Sequence, residues 1–107
     1  MALKILVICG RAKQRSLTAE TIYTNSPSIN VRAAGISKDS DIPVTEELIE
    51  WANRILVMEN THKSKLSRKF GHVLANKKIR VLNIPDKFRY MDPVLIDKLQ
   101  SCIKQYT

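Results

Sequence analysis

The run from Leu3 to Ile8, interrupted only by Lys4, constrains this chain most. A short apolar stretch without polar alternation belongs to a strand buried on both faces, and such strands occur in parallel sheets covered by helices on either side. The rest of the chain supplies those helices at regular spacing. Ser16 to about Asn25 reads as a helix with Leu17, Ala19 and Ile22 turned partly inward. A second strand follows at Asn30 to Ala34, which Gly35 breaks, and a polar loop leads to Pro43. Thr45 can then cap a helix whose first turn holds Glu46 and Glu47 and whose inner face is Leu48, Ile49 and Ala52. Arg54 to Met58 forms a third strand, a basic helix ends near Asn76, and Ile79 to Ile84 forms the fourth strand. Asp92 and Pro93 have the order of an N-cap and first helical residue, opening a last helix with Val94, Leu95, Leu99 and Ile103 on its apolar side.

Strands that alternate with helices connect by right-handed crossovers into a parallel sheet. The expectation is an α/β fold, a three-layer sandwich with a four-stranded parallel sheet and helices on both faces. With 107 residues, 44% of them hydrophobic, residues 1–107 suit one domain with one core. The first apolar run is too short to span a membrane and no small-residue cleavage site follows it, so neither an anchor nor a signal peptide is expected. Two cysteines far apart fit a reducing, cytoplasmic compartment. No CxxC pair or His/Cys cluster occurs, so neither a metal nor another cofactor is expected.

The first strand ends at Cys9, and Cys9-Gly-Arg-Ala-Lys-Gln-Arg15-Ser16 joins it to the first helix. A loop in this position can aim its backbone N–H groups at one centre, and the helix N-terminus adds positive potential there. An anion fits that centre, and the same field favours a thiolate at Cys9. Arg15 can close on the rim and grip two phosphate oxygens, and the Ser16 hydroxyl can donate to the cysteine sulfur. Gly10, Arg11, Ala12, Lys13 and Gln14 complete the loop and are the expected phosphate-binding residues, with Arg11 and Lys13 placing positive charge at its mouth and favouring an acidic substrate. The competing reading makes Cys9 an inert buried cysteine. Because ligands of such sheets sit outside the carboxyl ends of the strands, the loop Ile84-Pro-Asp-Lys-Phe-Arg-Tyr-Met-Asp-Pro93 should bring acids and aromatics toward Cys9.

Net charge is +8, and between Thr61 and Arg80 seven lysines and arginines occur with no acid. Leu66, Phe70, Val73 and Leu74 recur at helical spacing, so the cations lie mainly outward. A solvated face is the preferred reading and a docking surface for an acidic partner the alternative. Nucleic acid is disfavoured, since no aromatics interleave the cations. Trp51 is expected at a helix margin, His62 and His72 in solvent, and Glu20 and Glu59 on the surface.

The Cys-x5-Arg-Ser loop, Leu17-Thr-Ala-Glu-Thr-Ile22, Arg32-Ala-Ala-Gly35, Ile55-Leu-Val-Met58 and the late aspartate-containing loop occur in an order that resembles the low-molecular-weight protein tyrosine phosphatases along nearly the whole chain. The chain looks like a short, divergent member. The resemblance implies a four-stranded parallel sheet and two-step hydrolysis of a phosphate monoester, on a phosphorylated protein or small molecule, through a cysteinyl-phosphate on Cys9 stabilised by Arg15. It also implies a late-loop aspartate as general acid. Asp92 has the family's Asp-Pro order, but a cap side chain is already engaged by backbone N–H groups, so Asp86 is preferred. Phe88 and Tyr90 are candidates to wall the pocket against an aromatic ring, with a core role as the alternative. The chain departs from the family at Arg11, Ala12 and Gln14, where glycine, asparagine and a second cysteine are common, and between Gly35 and Thr45, where it is shorter. Rival readings are a phosphocysteine carrier, which the closing Arg15 argues against, a thiol-dependent arsenate reductase, and a phosphate-binding module without catalysis.

Overall fold

The computed structural model describes residues 2–11, 14–74 and 77–106. Its elements are β1 (Leu3–Cys9), α1 (Arg15–Ile22), β2 (Ile29–Gly35), α2 (Glu46–Trp51), β3 (Arg54–Val57), α3 (Asn60–Phe70), a 3-10 turn at Gly71–Val73, β4 (Ile79–Val81) and α4 (Pro93–Gln105). The strands form one parallel sheet in the order β2-β1-β3-β4. The expected α/β architecture is therefore the observed one.

Alternation along β1 divides the interior into two cores. Ile5, Val7 and Cys9 face one side with Ala19 of α1 and Leu95, Leu99 and Ile103 of α4. Leu6 and Ile8 face the other with Ile49 of α2 and Leu66 of α3. Successive strand side chains point to opposite faces, so a strand that is apolar and buried from Ile5 to Cys9 needs both layers. Trp51 lies at the margin of the second core with Arg32 over its ring, 4.7 Å from the centroid.

Both predicted caps form: the Thr45 side chain accepts from Leu48 N at 3.2 Å, and Asp92 Oδ1 accepts from Val94 N at 2.8 Å. Element ends differ from expectation for local reasons. β4 stops at Val81 because Asn83 adopts a left-handed backbone with φ 56°, although Leu82 N and Ile84 N still donate to Val57 O and Met58 O. The basic helix ends at Phe70, short of Asn76, which lies outside the described residues, and the tighter turn Gly71–Val73 follows it. Among the described residues no helix is long and apolar enough to cross a membrane.

The chain leaves β1 for β2 on one side, then returns to β3 on the other side of β1. The carboxyl ends of β1 and β3 therefore border a crevice at the point where strand order reverses, the usual ligand position in open α/β sheets.

Candidate active site

Cys9 closes β1 at this crevice and is 3% exposed. Its carbonyl accepts from Ile36 N at 2.9 Å, while Gly10 O accepts from Ser37 N at 2.9 Å and from the Ser40 hydroxyl at 3.1 Å. The segment after β2 thus forms one wall of the loop. Gly35, opposite Cys9 in register, permits this approach. A Cβ there would meet the Ser40 side chain and stand 2.7 Å from the carbonyl carbon of Arg11.

Arg15 and Ser16 open α1 and are both buried. Ser16 Oγ stands 3.0 Å from Cys9 Sγ, so the hydroxyl is placed to donate to the sulfur. Arg15 Nη1 donates to Glu59 Oε2 at 2.9 Å and to Ile84 O at 2.8 Å. Both bonds use one terminal nitrogen, and among the described residues Nε and Nη2 have no hydrogen bond within range, so that edge could donate to an oxyanion. Asp86 Oδ1 lies 3.9 Å from Nε, which brings the loop after β4 to the same guanidinium. The Arg15 hydrogen bond, followed by the charges of Arg15 and His62, holds the Glu59 carboxyl below its ordinary pKa against the opposing effect of burial.

These side chains border a cavity of about 440 Å³. Cys9, Gly10, Arg11, Gln14 and Arg15 contribute from the loop and the start of α1, Ile36 and Ser37 from beyond β2, Glu59, Thr61, His62 and Lys65 from the β3–α3 junction and α3, and Asp86 from beyond β4. Glu59, which precedes α3, stands 3.5 Å from His62 Nε2, and His62 Nδ1 is buried without a hydrogen bond among the described residues. Burial first, then the charge of Arg15, lowers the His62 pKa below 6.5; Lys65 adds to this while Glu59 and Asp86 oppose it.

Of the residues expected at the site, Cys9, Gly10, Arg11, Gln14, Arg15 and Asp86 meet at this cavity, and Ser16 contacts the cysteine. Ala12 and Lys13 lie outside the described residues. Phe88 and Tyr90 depart from the expectation that they wall the pocket. Phe88 packs in the first core, and the Tyr90 hydroxyl pairs with Thr21 Oγ1 at 2.8 Å on α1. With Met91 N donating to Thr18 Oγ1 at 3.0 Å, they fasten the Asp86 loop to α1. Asp92 is a helix cap and does not line the cavity. His62, expected in solvent, is buried, and Glu59, expected to be a plain surface residue, reaches Arg15. The missed signal at His62 is its place four residues before Leu66 on the inward helix face. His72 is exposed as expected and pairs with Glu46, whereas Glu20 caps the outer edge of β2 by accepting from Ala33 N at 3.0 Å. Among the described residues no group of three metal-ligating side chains occurs.

No family profile and no curated protein matches the chain. Solved structures do. A mutant of YwlE from Bacillus subtilis is 22% identical with a TM-score of 0.71, covering 98% of this chain and 99% of its own. The tyrosine phosphatase Wzb from Escherichia coli K30, in complex with phosphate, is 21% identical with a TM-score of 0.72, covering 99% and 96%. The arginine phosphatase YwlE from Geobacillus stearothermophilus is 20% identical with a TM-score of 0.69, covering 97% and 94%. Over nearly its whole length the chain has the fold of these phosphatases, as its resemblance to the low-molecular-weight protein tyrosine phosphatases implied.

Proposed function

We propose that this chain is a cysteine-dependent phosphatase of the cytoplasm, acting on protein phosphotyrosine. The observation that carries the reading is the convergence of three groups on one cavity: Cys9 Sγ at 3.0 Å from Ser16 Oγ, the buried Arg15 guanidinium, and Asp86 3.9 Å from Arg15 Nε.

The Cys9 thiolate attacks phosphorus in line with the leaving oxygen. The S–P bond forms, the P–O bond to the substrate breaks, and protonated Asp86 delivers its proton to the departing oxygen. Arg15 and the loop N–H groups hold the equatorial oxygens, whose charge is greatest in the transition state. Water then attacks phosphorus while the Asp86 carboxylate takes its proton. The S–P bond breaks, inorganic phosphate leaves, and Ser16 supports the returning thiolate by hydrogen bonding. No metal or other cofactor enters these steps, and the nucleophile needs a reducing compartment to stay a thiol.

Phosphotyrosine is supported by the tyrosine phosphatase activity of the similarly folded Wzb. Phosphoarginine is the second reading. It is favoured by the absence of Phe, Tyr and Trp from the described lining and by the exposed Asp86 carboxylate, which suits a guanidinium.

The test is hydrolysis of p-nitrophenyl phosphate and phenyl phosphate between about pH 5 and 8, with phosphotyrosine and phosphoarginine peptides compared at the optimum. Cys9→Ser should abolish turnover. Asp86→Asn should slow it by roughly 10²–10⁴-fold, with the larger loss on phenyl phosphate, whose leaving group needs the proton more. A folded, unaltered protein that hydrolyses none of the four substrates overturns the reading.

A further inference from the structure

Besides Arg15, the charged side chains that border the cavity are Arg11, Lys65, Glu59 and Asp86. Glu59 is matched by Arg15, and Asp86 lies next to the same guanidinium. Arg11 and Lys65 have no carboxylate within ion-pair distance among the described residues, and both are exposed. Lys65 stands four residues after Thr61 on α3, so the helix turns both toward one side of the cavity. Arg11 enters from the loop after β1, whereas Asp86 enters from beyond β4 at the far edge of the sheet. The mouth thus carries two cations, Arg11 and Lys65, besides the carboxylates of Glu59 and Asp86 that stand against Arg15.

A phosphate held by Arg15 and the loop N–H groups does not need two further cations. We propose that Arg11 and Lys65 form a second anion subsite that selects acidic peptides, in which a carboxylate flanks the phosphorylated residue. This rests on the phosphatase reading and names its substrate class. An exposed cation close to a carboxylate contributes about a fivefold preference at low salt, and screening removes most of it as ionic strength rises.

The experiment compares kcat/KM for three phosphotyrosine peptides that differ only in their flanking residues, glutamate, glutamine or lysine, at about 10 mM and about 200 mM salt. p-Nitrophenyl phosphate is assayed alongside as a substrate without flanks. The expected order is glutamate over glutamine over lysine, with roughly fivefold between the first two at low salt for each cation the carboxylate meets and a narrower gap at high salt. Lys65→Glu should reverse the order, and Arg11→Ala should compress it. Equal kcat/KM for the three peptides with p-nitrophenyl phosphate hydrolysed overturns the subsite and leaves the phosphatase reading intact. So does a glutamate preference unchanged in both variants. Loss of hydrolysis of every substrate by the unaltered protein overturns that reading and the subsite together.

Discussion

Glu59 Oε2 accepts a hydrogen bond from Arg15 Nη1 at 2.9 Å, so the residue that follows β3 and Met58 holds the guanidinium carried by α1. Ile84 O takes the same nitrogen at 2.8 Å. Together they tether one end of the guanidinium at the cavity. On the proposed phosphatase reading Glu59 is a positioning residue, because it meets Arg15 and His62 and its carboxylate would repel a phosphate.

Glu59→Ala should lower kcat/KM for p-nitrophenyl phosphate by about 10–100-fold, the range in which small misplacements of a binding group act. Glu59→Gln keeps an acceptor in place and should recover most of that loss. Inhibition by inorganic phosphate should weaken in parallel with the alanine variant. Equal losses in the two variants would mean that charge, and not positioning, is what Glu59 contributes.

His62 makes stability depend on pH. Its folded pKa lies below the ordinary 6.5, chiefly because burial disfavours the imidazolium and secondarily because Arg15 is near. The unfolded chain therefore binds more protons than the folded one as pH falls below about 6.5, and stability declines with acidification from that point. Urea midpoints measured at about pH 7.5, 6.5 and 5.5 should fall toward acid in the unaltered protein and fall less in His62→Gln. The lowered Glu59 pKa adds a loss of the same sign at still lower pH, below 4.5. A His62→Gln profile parallel to that of the unaltered protein would place the proton uptake elsewhere.

Gly35→Ala tests the packing of the loop wall. The new methyl would collide with Ser40 and press on the Arg11 carbonyl carbon, and neither the strand end nor the loop can move without breaking the bonds from Ile36 N to Cys9 O and from Ser37 N to Gly10 O. A cost of about 1–3 kcal/mol is expected, seen as a lower urea midpoint, together with a fall in kcat/KM. Adding Ser40→Ala removes the collision with the hydroxyl but leaves the β-carbon of residue 40 and the Arg11 carbonyl carbon, each 2.7 Å from the new methyl, so it should restore the stability only in part.

Much of this was legible in the chain. The double-sided apolar pattern of Leu3 to Ile8 has few physical solutions, and it specified the layers. The spacing of Cys9, Arg15 and Ser16 specified the loop, because strand end and helix start fix where each side chain emerges. The two caps at Thr45 and Asp92 were readable because capping is local chemistry. What could not be read depends on contacts between distant segments. Phe88 and Tyr90 look the same in sequence whether they face a ligand, a core or a neighbouring hydroxyl. Thr18 and Thr21 decide that question from α1, about seventy residues away. His62 sits in a run of lysines and reads as polar surface, yet the helix register that buries Leu66 also buries it. The fourth strand ends at Val81, short of the apolar run to Ile84, because Asn83 is left-handed, which is not foreseeable inside such a run.

The two late-loop aspartates stand in different surroundings, and a paired set of variants tests what each contributes. Asp86 is on the cavity, with a side chain mostly open to solvent and close enough to Arg15 to sense a bound phosphate. Asp92 is spent on Val94 N, where its carboxylate also faces the positive end of α4. Asp92→Ala should cost about 0.5–2 kcal/mol of stability and leave the pH dependence of kcat/KM in place. Asp86→Ala should leave the urea midpoint nearly unchanged and remove the limb of the pH profile that reports the general acid. If Asp92→Ala were the variant that lost that limb, the cap would have to open during turnover and the acid would be Asp92. The bond from Met91 N to Thr18 Oγ1 opposes such an opening, because it pins the residue next to the cap on α1.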